Sequence, residues 1–188
     1  MSRLTAFCVP ALLAAGIVSS ARAQVPRPSP EYSTLLPDGR HLLLSELRGK
    51  VVALEFLSTT CHYCKECSAV MNKLYAEYGP KGFQPLGVAI NPNAIVLVPG
   101  YTKELGLNFP VGVGPHESAL SYLRFSTLDR LMVPQLVFID RRGVIRAHYP
   151  GGDPFFKDEE KNMRAQIEAL LQEPAGSRKR GAVRKNPK

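Results

Sequence analysis

The segment Cys61-His62-Tyr63-Cys64-Lys65-Glu66-Cys67, three residues after the apolar run Val51-Val52-Ala53-Leu54-Glu55-Phe56-Leu57, constrains this chain more than any other. The run has the length and the branched, aromatic composition of a buried strand. From Cys64 the period changes: Cys64, Cys67, Met71, Leu74 and Tyr78 recur at helical spacing, while Lys65, Glu66, Asn72, Lys73 and Glu77 occupy the rest of the cylinder. A strand, a short turn and an amphipathic helix in succession form a building unit of α/β domains. The unit puts Cys61 at the helix start and Cys64 one turn further in.

Two thiols at such a junction can close into a disulfide and open again. The nucleophile is the thiolate, and the free N–H groups and dipole at a helix N-terminus favour negative charge there by about 0.3–1 kcal/mol. Cys61 is therefore expected to attack a substrate sulfur and Cys64 to resolve the mixed disulfide. A permanent staple competes with this reading, but closing so small a loop removes little entropy from the unfolded chain. Zinc held through the Cys64/Cys67 spacing would need four ligands, and the chain has no second cysteine pair. Cys67 reads as a small buried hydrophobe; a third redox thiol or a Cu(I) ligand is the sharper alternative.

Glu55 has apolar neighbours. Turned inward, it would have a raised pKa and could exchange a proton with Cys64; strand alternation equally permits a solvent-facing acid. Val133-Pro134 is an X–Pro bond, for which cis costs only about 0.5–1 kcal/mol. Two apolar runs, Gln135–Asp140 and Val144–Tyr149, flank the turn Asp140-Arg141-Arg142-Gly143 and read as a hairpin.

Together these segments resemble the thioredoxin superfamily, in its exported TlpA/ResA-like or redoxin (AhpC/TSA) type. Leu42-Leu43-Leu44-Ser45-Glu46-Leu47-Arg48-Gly49-Lys50 is similar to the family's lead-in to the first core strand, and Glu55, six residues before Cys61, stands where thioredoxins keep a buried carboxylate. The Cys-x-x-Cys and the Val133-Pro134 strand complete the pattern. The resemblance implies a thioredoxin-like α/β fold, a central mixed β-sheet flanked by helices on both faces. It also implies a redox pair Cys61/Cys64 assisted by Glu55, a cis Pro134 facing the cysteines, and a substrate surface of Val133, Pro134, His62 and Tyr63. Three departures stand out: Thr60 replaces the tryptophan usual before the first cysteine, His62-Tyr63 replaces Gly-Pro, and Cys67 stands where TlpA/ResA-like relatives often carry glutamate. A protonated His62 beside sulfur would favour the thiolate and make the disulfide a better oxidant.

Residues 1–23 read as a secretory signal: Arg3 precedes an apolar stretch from Leu4 to Ser20, and Ala21-Arg22-Ala23 offers a cleavage site before Gln24. Cys8 lies inside it. Residues 24–31, with three prolines, read as a flexible lead, residues 32–173 as one thioredoxin-like domain and residues 174–188 as a basic disordered tail. The net charge of +8 does not point to nucleic acid. Arg3, Arg22, Arg178, Lys179, Arg180, Arg184, Lys185 and Lys188 account for the excess, and residues 24–173 balance. Membrane-surface contact by the tail is the partner reading this charge permits.

Between the motifs, Gln84–Ile90 reads as a strand and His116–Phe125 and Lys157–Gln172 as helices. Residues 94–106 mix a strand-like Ile95-Val96-Leu97-Val98 with Pro99-Gly100, and the resemblance favours a helix there. The functional expectation is a monomeric, exported (periplasmic or secreted) enzyme without bound cofactor or metal. It would exchange disulfides with cysteine-containing exported proteins and with an upstream electron donor or acceptor. Two alternatives are a peroxiredoxin-type peroxidase, whose Pro-x3-Thr-x2-Cys pattern meets Leu54 and Ser58 here, and a copper module using Cys61, Cys64, Cys67 and His148 or Met132.

Overall fold

The computed structural model describes residues 25–174. The expected signal segment and all but the first residue of the basic tail lie outside the described residues.

Eight strands form one sheet: β1 (Arg27–Pro28), β2 (Ser33–Leu35), β3 (His41–Leu43), β4 (Val51–Leu57), β5 (Phe83–Ala89), β6 (Val111–Val113), β7 (Gln135–Ile139) and β8 (Val144–Pro150). Their order is β1-β8-β7-β4-β5-β6-β2-β3. The centre, β4-β5-β6, is parallel, and β7, β8 and the edge strands add antiparallel. Four helices accompany the sheet: α1 (His62–Tyr78), α2 (Ala94–Leu105), α3 (His116–Leu123) and α4 (Glu159–Gln172).

β4 sits between β5 and β7 and every residue in it is buried. Its alternation divides the core in two. Val51, Ala53 and Leu57 pack with Cys64, Met71 and Leu74 of α1, Val98 and Tyr101 of α2, and Met163 and Ile167 of α4. Val52, Leu54 and Phe56 pack on the other face with Ala119, Tyr122 and Leu123 of α3, and with Tyr32, Leu44 and Leu47. The sheet thus carries helices on both faces, as the sequence pattern requires. By the same period of two, Glu55 points into the layer of α1, α2 and α4.

Two segments differ from expectation or resolve an ambiguity. The lead expected to be flexible is ordered from Val25: Arg27 and Pro28 pair with Ile145 and Val144, and the buried Arg27 guanidinium donates to the Tyr122 carbonyl at 2.8 Å. Proline can sit on a sheet edge, so a proline-rich segment need not stay free. Residues 94–105 are one helix despite Pro99 and the strand-like Ile95-Val96-Leu97. Packing decides it, because Ala94, Val98 and Tyr101 recur at i, i+4 and i+7 and are the buried face, while Val96 is 71% exposed. At the hairpin tip Gly143 has φ +79°, and any Cβ there would meet the Arg48 guanidinium at 0.7 Å.

Phe56 is completely buried, with ring centroids of Tyr32 and Tyr122 at 5.2 and 5.5 Å. Phe56→Ala should cost about 3–5 kcal/mol, measured by urea unfolding.

Candidate active site

The turn between β4 and α1 is held from both sides. Thr59 N–H donates to Asn91 Oδ1 and Asn91 Nδ2 donates to Thr59 Oγ1, each at 3.0 Å, tying the chain after β4 to the chain after β5. Cys61 N–H donates to the Ser58 carbonyl at 3.1 Å. Cys61 then takes extended backbone (φ −84°, ψ 123°) and caps α1, its Sγ accepting the Cys64 N–H at 3.4 Å. N-cap positions usually carry an oxygen side chain; here a sulfur occupies one and receives the orphan donor.

Cys61 is partly exposed, whereas Cys64 and Cys67 have no exposed surface; all three are free thiols. Burial, and then the nearby Glu55 carboxyl, push the Cys64 thiol up. The two cysteines therefore differ in the way the helix reading expected: an accessible outer sulfur and an inner one that is costly to ionise. Opposite Cys61 lies the loop before β7. The Val133–Pro134 peptide is cis, Pro134 is buried, and the Val133 carbonyl is 3.8 Å from Cys61 Sγ. The backbone near the outer sulfur thus comes from a second, distant segment.

Glu55 is fully buried beneath the pair. Its Oε2 accepts from Ser68 Oγ at 2.7 Å, Tyr101 Oη lies 2.8 Å from Ser68 Oγ, and the same Oη reaches the Cys64 carbonyl at 3.1 Å. Since the Ser68 proton goes to Glu55, the single Tyr101 proton is shared between Ser68 and the Cys64 carbonyl. Glu55 Oε1 is buried without a hydrogen-bond partner. Burial pushes the Glu55 carboxyl up to about 8; the Ser68 hydrogen bond opposes this and the nearby Glu159 adds to it. Cys67 adjoins the same group, and burial followed by the Glu55 charge push its thiol up as well.

Not every sequence candidate meets the sulfurs. His62 is turned along the helix surface, its Nε2 3.2 Å from Glu66 Oε1, and its ring lies against Tyr63, which is 69% exposed. His148 is in register with Val137, whose side chain belongs to the α3 face, and bonds Gln135 Oε1 at 2.7 Å. The cysteines lie on the other face, so His148 is no partner for them in a copper site. Met132 is 58% exposed, just before the cis peptide. Among the described residues no group of three or more His, Cys, Asp or Glu is arranged to hold a metal ion.

Ser68, Tyr101, Asn91 and Glu159 were not among the sequence candidates. Ser68 carried a signal, being four residues after Cys64 on the inner stripe. Asn91, Tyr101 and Glu159 arrive from distant elements, and no local pattern marks them.

The AhpC/TSA family model matches residues 25–148. Curated relatives include the thiol-disulfide oxidoreductase ResA of Bacillus thuringiensis (strain Al Hakam), 29% identical over 92 residues, which are 49% of this chain and 53% of the relative. ResA of Bacillus thuringiensis subsp. konkukian is 27% identical over 124 residues, 66% of this chain and 68% of that one. The match thus spans about half the length of the first of these relatives. Among solved structures, a thiol:disulfide interchange protein of Chlorobium tepidum TLS superposes with a TM-score of 0.64 at 23% identity, covering 78% of this chain and 97% of that one. That likeness concerns the fold, which is thioredoxin-like.

The raised Glu55 pKa has a consequence for stability. Below about pH 4.5 the carboxyl is protonated whether the chain is folded or not, and above about 8 it is ionised in both states. Between these values the unfolded chain has released a proton that the folded chain keeps, so this group's contribution to stability falls as pH rises. Glu55→Gln should therefore gain stability relative to the parent as pH rises from 4.5 to 8, which urea midpoints across that range would measure.

Proposed function

Because the chain belongs to the AhpC/TSA family, we propose that it is a thiol–disulfide oxidoreductase exchanging electrons with cysteines of exported proteins through Cys61 and Cys64. The observation that carries this is the asymmetry of the two sulfurs: Cys61 is accessible at the N-cap of α1, and Cys64 is buried behind it against Glu55.

In the reducing direction, the Cys61 thiolate attacks one sulfur of a substrate disulfide, and the other substrate sulfur leaves as a thiolate. The Cys64 thiol then gives its proton to the Glu55 carboxylate and attacks Cys61 Sγ. The Cys61–Cys64 disulfide forms, and the second substrate thiolate leaves. Two electrons pass from the pair to the substrate. The oxidising direction is the reverse, with Glu55 returning the proton to Cys64 as it leaves. A carboxyl near 8 suits both directions, since a general acid–base works best with a pKa close to the operating pH.

The substrate is read as an extended segment laid over the accessible sulfur, between the Val133–Pro134 loop and the exposed Tyr63 and His62. Such a surface favours a polypeptide over a small oxidant. A peroxidase gains no support at position 54, where the peroxidase pattern has proline and this chain has Leu54 buried on the α3 face. Residues 1–23 as an export signal and residues 174–188 as a basic tail complete the reading. No helix among the described residues is long and apolar enough to cross a membrane.

Cys61→Ser should abolish turnover of a disulfide peptide, and Cys64→Ser should accumulate a mixed disulfide on Cys61, read by non-reducing mass spectrometry. Glu55→Gln should lower turnover on the order of 10²-fold while the chain stays folded. Mixed disulfides that form on Cys67 instead would contradict the assignment of roles.

A further inference from the structure

Resting on that reading, one question follows from the burial of Glu55. Its proton must come and go, yet the side chain has no exposed surface. Its hydrogen-bonded neighbours on one side lead nowhere: Ser68 is fully buried, Tyr101 is 3% exposed, and the chain ends on the Cys64 carbonyl.

On the other side stands Cys67. It is fully buried, one turn beyond Cys64, and two carboxyl groups bear on its ionisation, Glu55 from β4 and Glu159 from the first turn of α4. Glu55 Oε1 and Glu159 Oε1 are both buried and neither has a hydrogen-bond partner, so the Cys67 S–H is the donor nearest to hand for either. One S–H cannot satisfy two ionised acceptors, so a proton shared among the three groups removes the frustration. Glu159, unlike Glu55, is partly exposed, and it lies where the helix dipole favours negative charge. The titratable groups facing this cluster are Cys64 and Glu66 from α1 and Tyr101 from α2.

We propose that Cys67 and Glu159 form a proton path that connects Glu55 to solvent at the start of α4, with Cys67 a relay that undergoes no oxidation. For release, the Glu55 proton moves to Cys67 Sγ as the Cys67 proton moves to Glu159, which passes it to water. Uptake is the reverse. Only O–H and S–H bonds change, and no electrons are transferred. Both residues act through Glu55.

The path governs the resolving step at pH values where Glu55 begins protonated. There Glu55 must discharge to solvent before it can accept the Cys64 proton. Reaction of the full, reduced chain, carrying Cys8→Ser so that the thiol at position 8 does not report, with 5,5′-dithiobis(2-nitrobenzoate) reads that step: Cys61 releases one thionitrobenzoate, and attack by Cys64 on the mixed disulfide releases a second. Cys64→Ser must cut the release to one. A second release that survives in Cys64→Ser would sink the Cys61/Cys64 reading itself, and the path with it.

With that control in place, at pH 7 Cys67→Ala and Glu159→Gln should each slow the second release about tenfold, while Cys67→Ser, which keeps a donor and acceptor, should stay within about twofold of the parent. At pH 9, where Glu55 is already ionised, all should agree within about twofold. The sign in Glu159→Gln separates the path from electrostatics alone. Removing the Glu159 charge would by itself ease ionisation of Glu55 and speed the step at pH 7. A faster Glu159→Gln, or a Cys67→Ser as slow as Cys67→Ala, would overturn the proposal. Should Cys67→Ala melt early, the partly exposed Glu159→Gln decides alone.

Discussion

The two-residue period of β4 is the constraint on which the rest of this structure depends. Hydrogen bonding to β5 and β7 fixes its register, so Glu55 pairs with Gly87 on one side and Leu136 on the other. Once Val52, Leu54 and Phe56 face α3, Glu55 has no choice but to enter the layer that holds α1. Burying an acid there is costly unless it is neutral or well bonded. The protein meets that cost with a Ser68 hydrogen bond and a raised pKa, so a packing rule sets the protonation state of the group beneath the cysteines.

The two sulfurs gain different characters from the same local geometry. The strand ends at Leu57, the Thr59–Asn91 bonds hold the turn, and the first turn of α1 carries one cysteine outward and the next inward. The loop at Val133–Pro134 lays a backbone carbonyl beside Cys61 from a segment more than seventy residues away. A β7 antiparallel to β4 makes this approach geometrically natural, because the start of β7 then lies beside the end of β4, with Gln135 opposite Phe56.

Much of this was legible in the sequence, and the reasons are physical. The 51–57 run, the helical stripe from Cys64 to Tyr78 and the closing hairpin announce themselves because burial imposes a period on local sequence. The helix at 94–105 was ambiguous from composition, since Ile95, Val96 and Leu97 favour strand while the buried Ala94, Val98 and Tyr101 follow a helical period. The edge pairing of Arg27 and Pro28 is not legible locally, because it depends on β8, which local composition does not encode. At the site, the cysteines, Glu55 and Pro134 carried signals of type and spacing. Which face Glu55 occupies could not be decided from alternation, as both faces of β4 are apolar. Tyr101 and Glu159 reach the site only through the docking of α2 and α4, so no motif contains them.

The central claim is that Cys61 and Cys64 are the redox couple and Cys67 a buried thiol beside it. Equilibrating the full chain in glutathione buffers of stepped potential, then quenching with acid, alkylating under denaturing conditions and mapping peptides, tests it directly. The account predicts one two-electron transition, with Cys61 and Cys64 joined in the oxidised limb and Cys67 alkylated as a free thiol throughout. A transition that joins Cys67 to either sulfur, or no reversible Cys61–Cys64 bond at any potential, would contradict it.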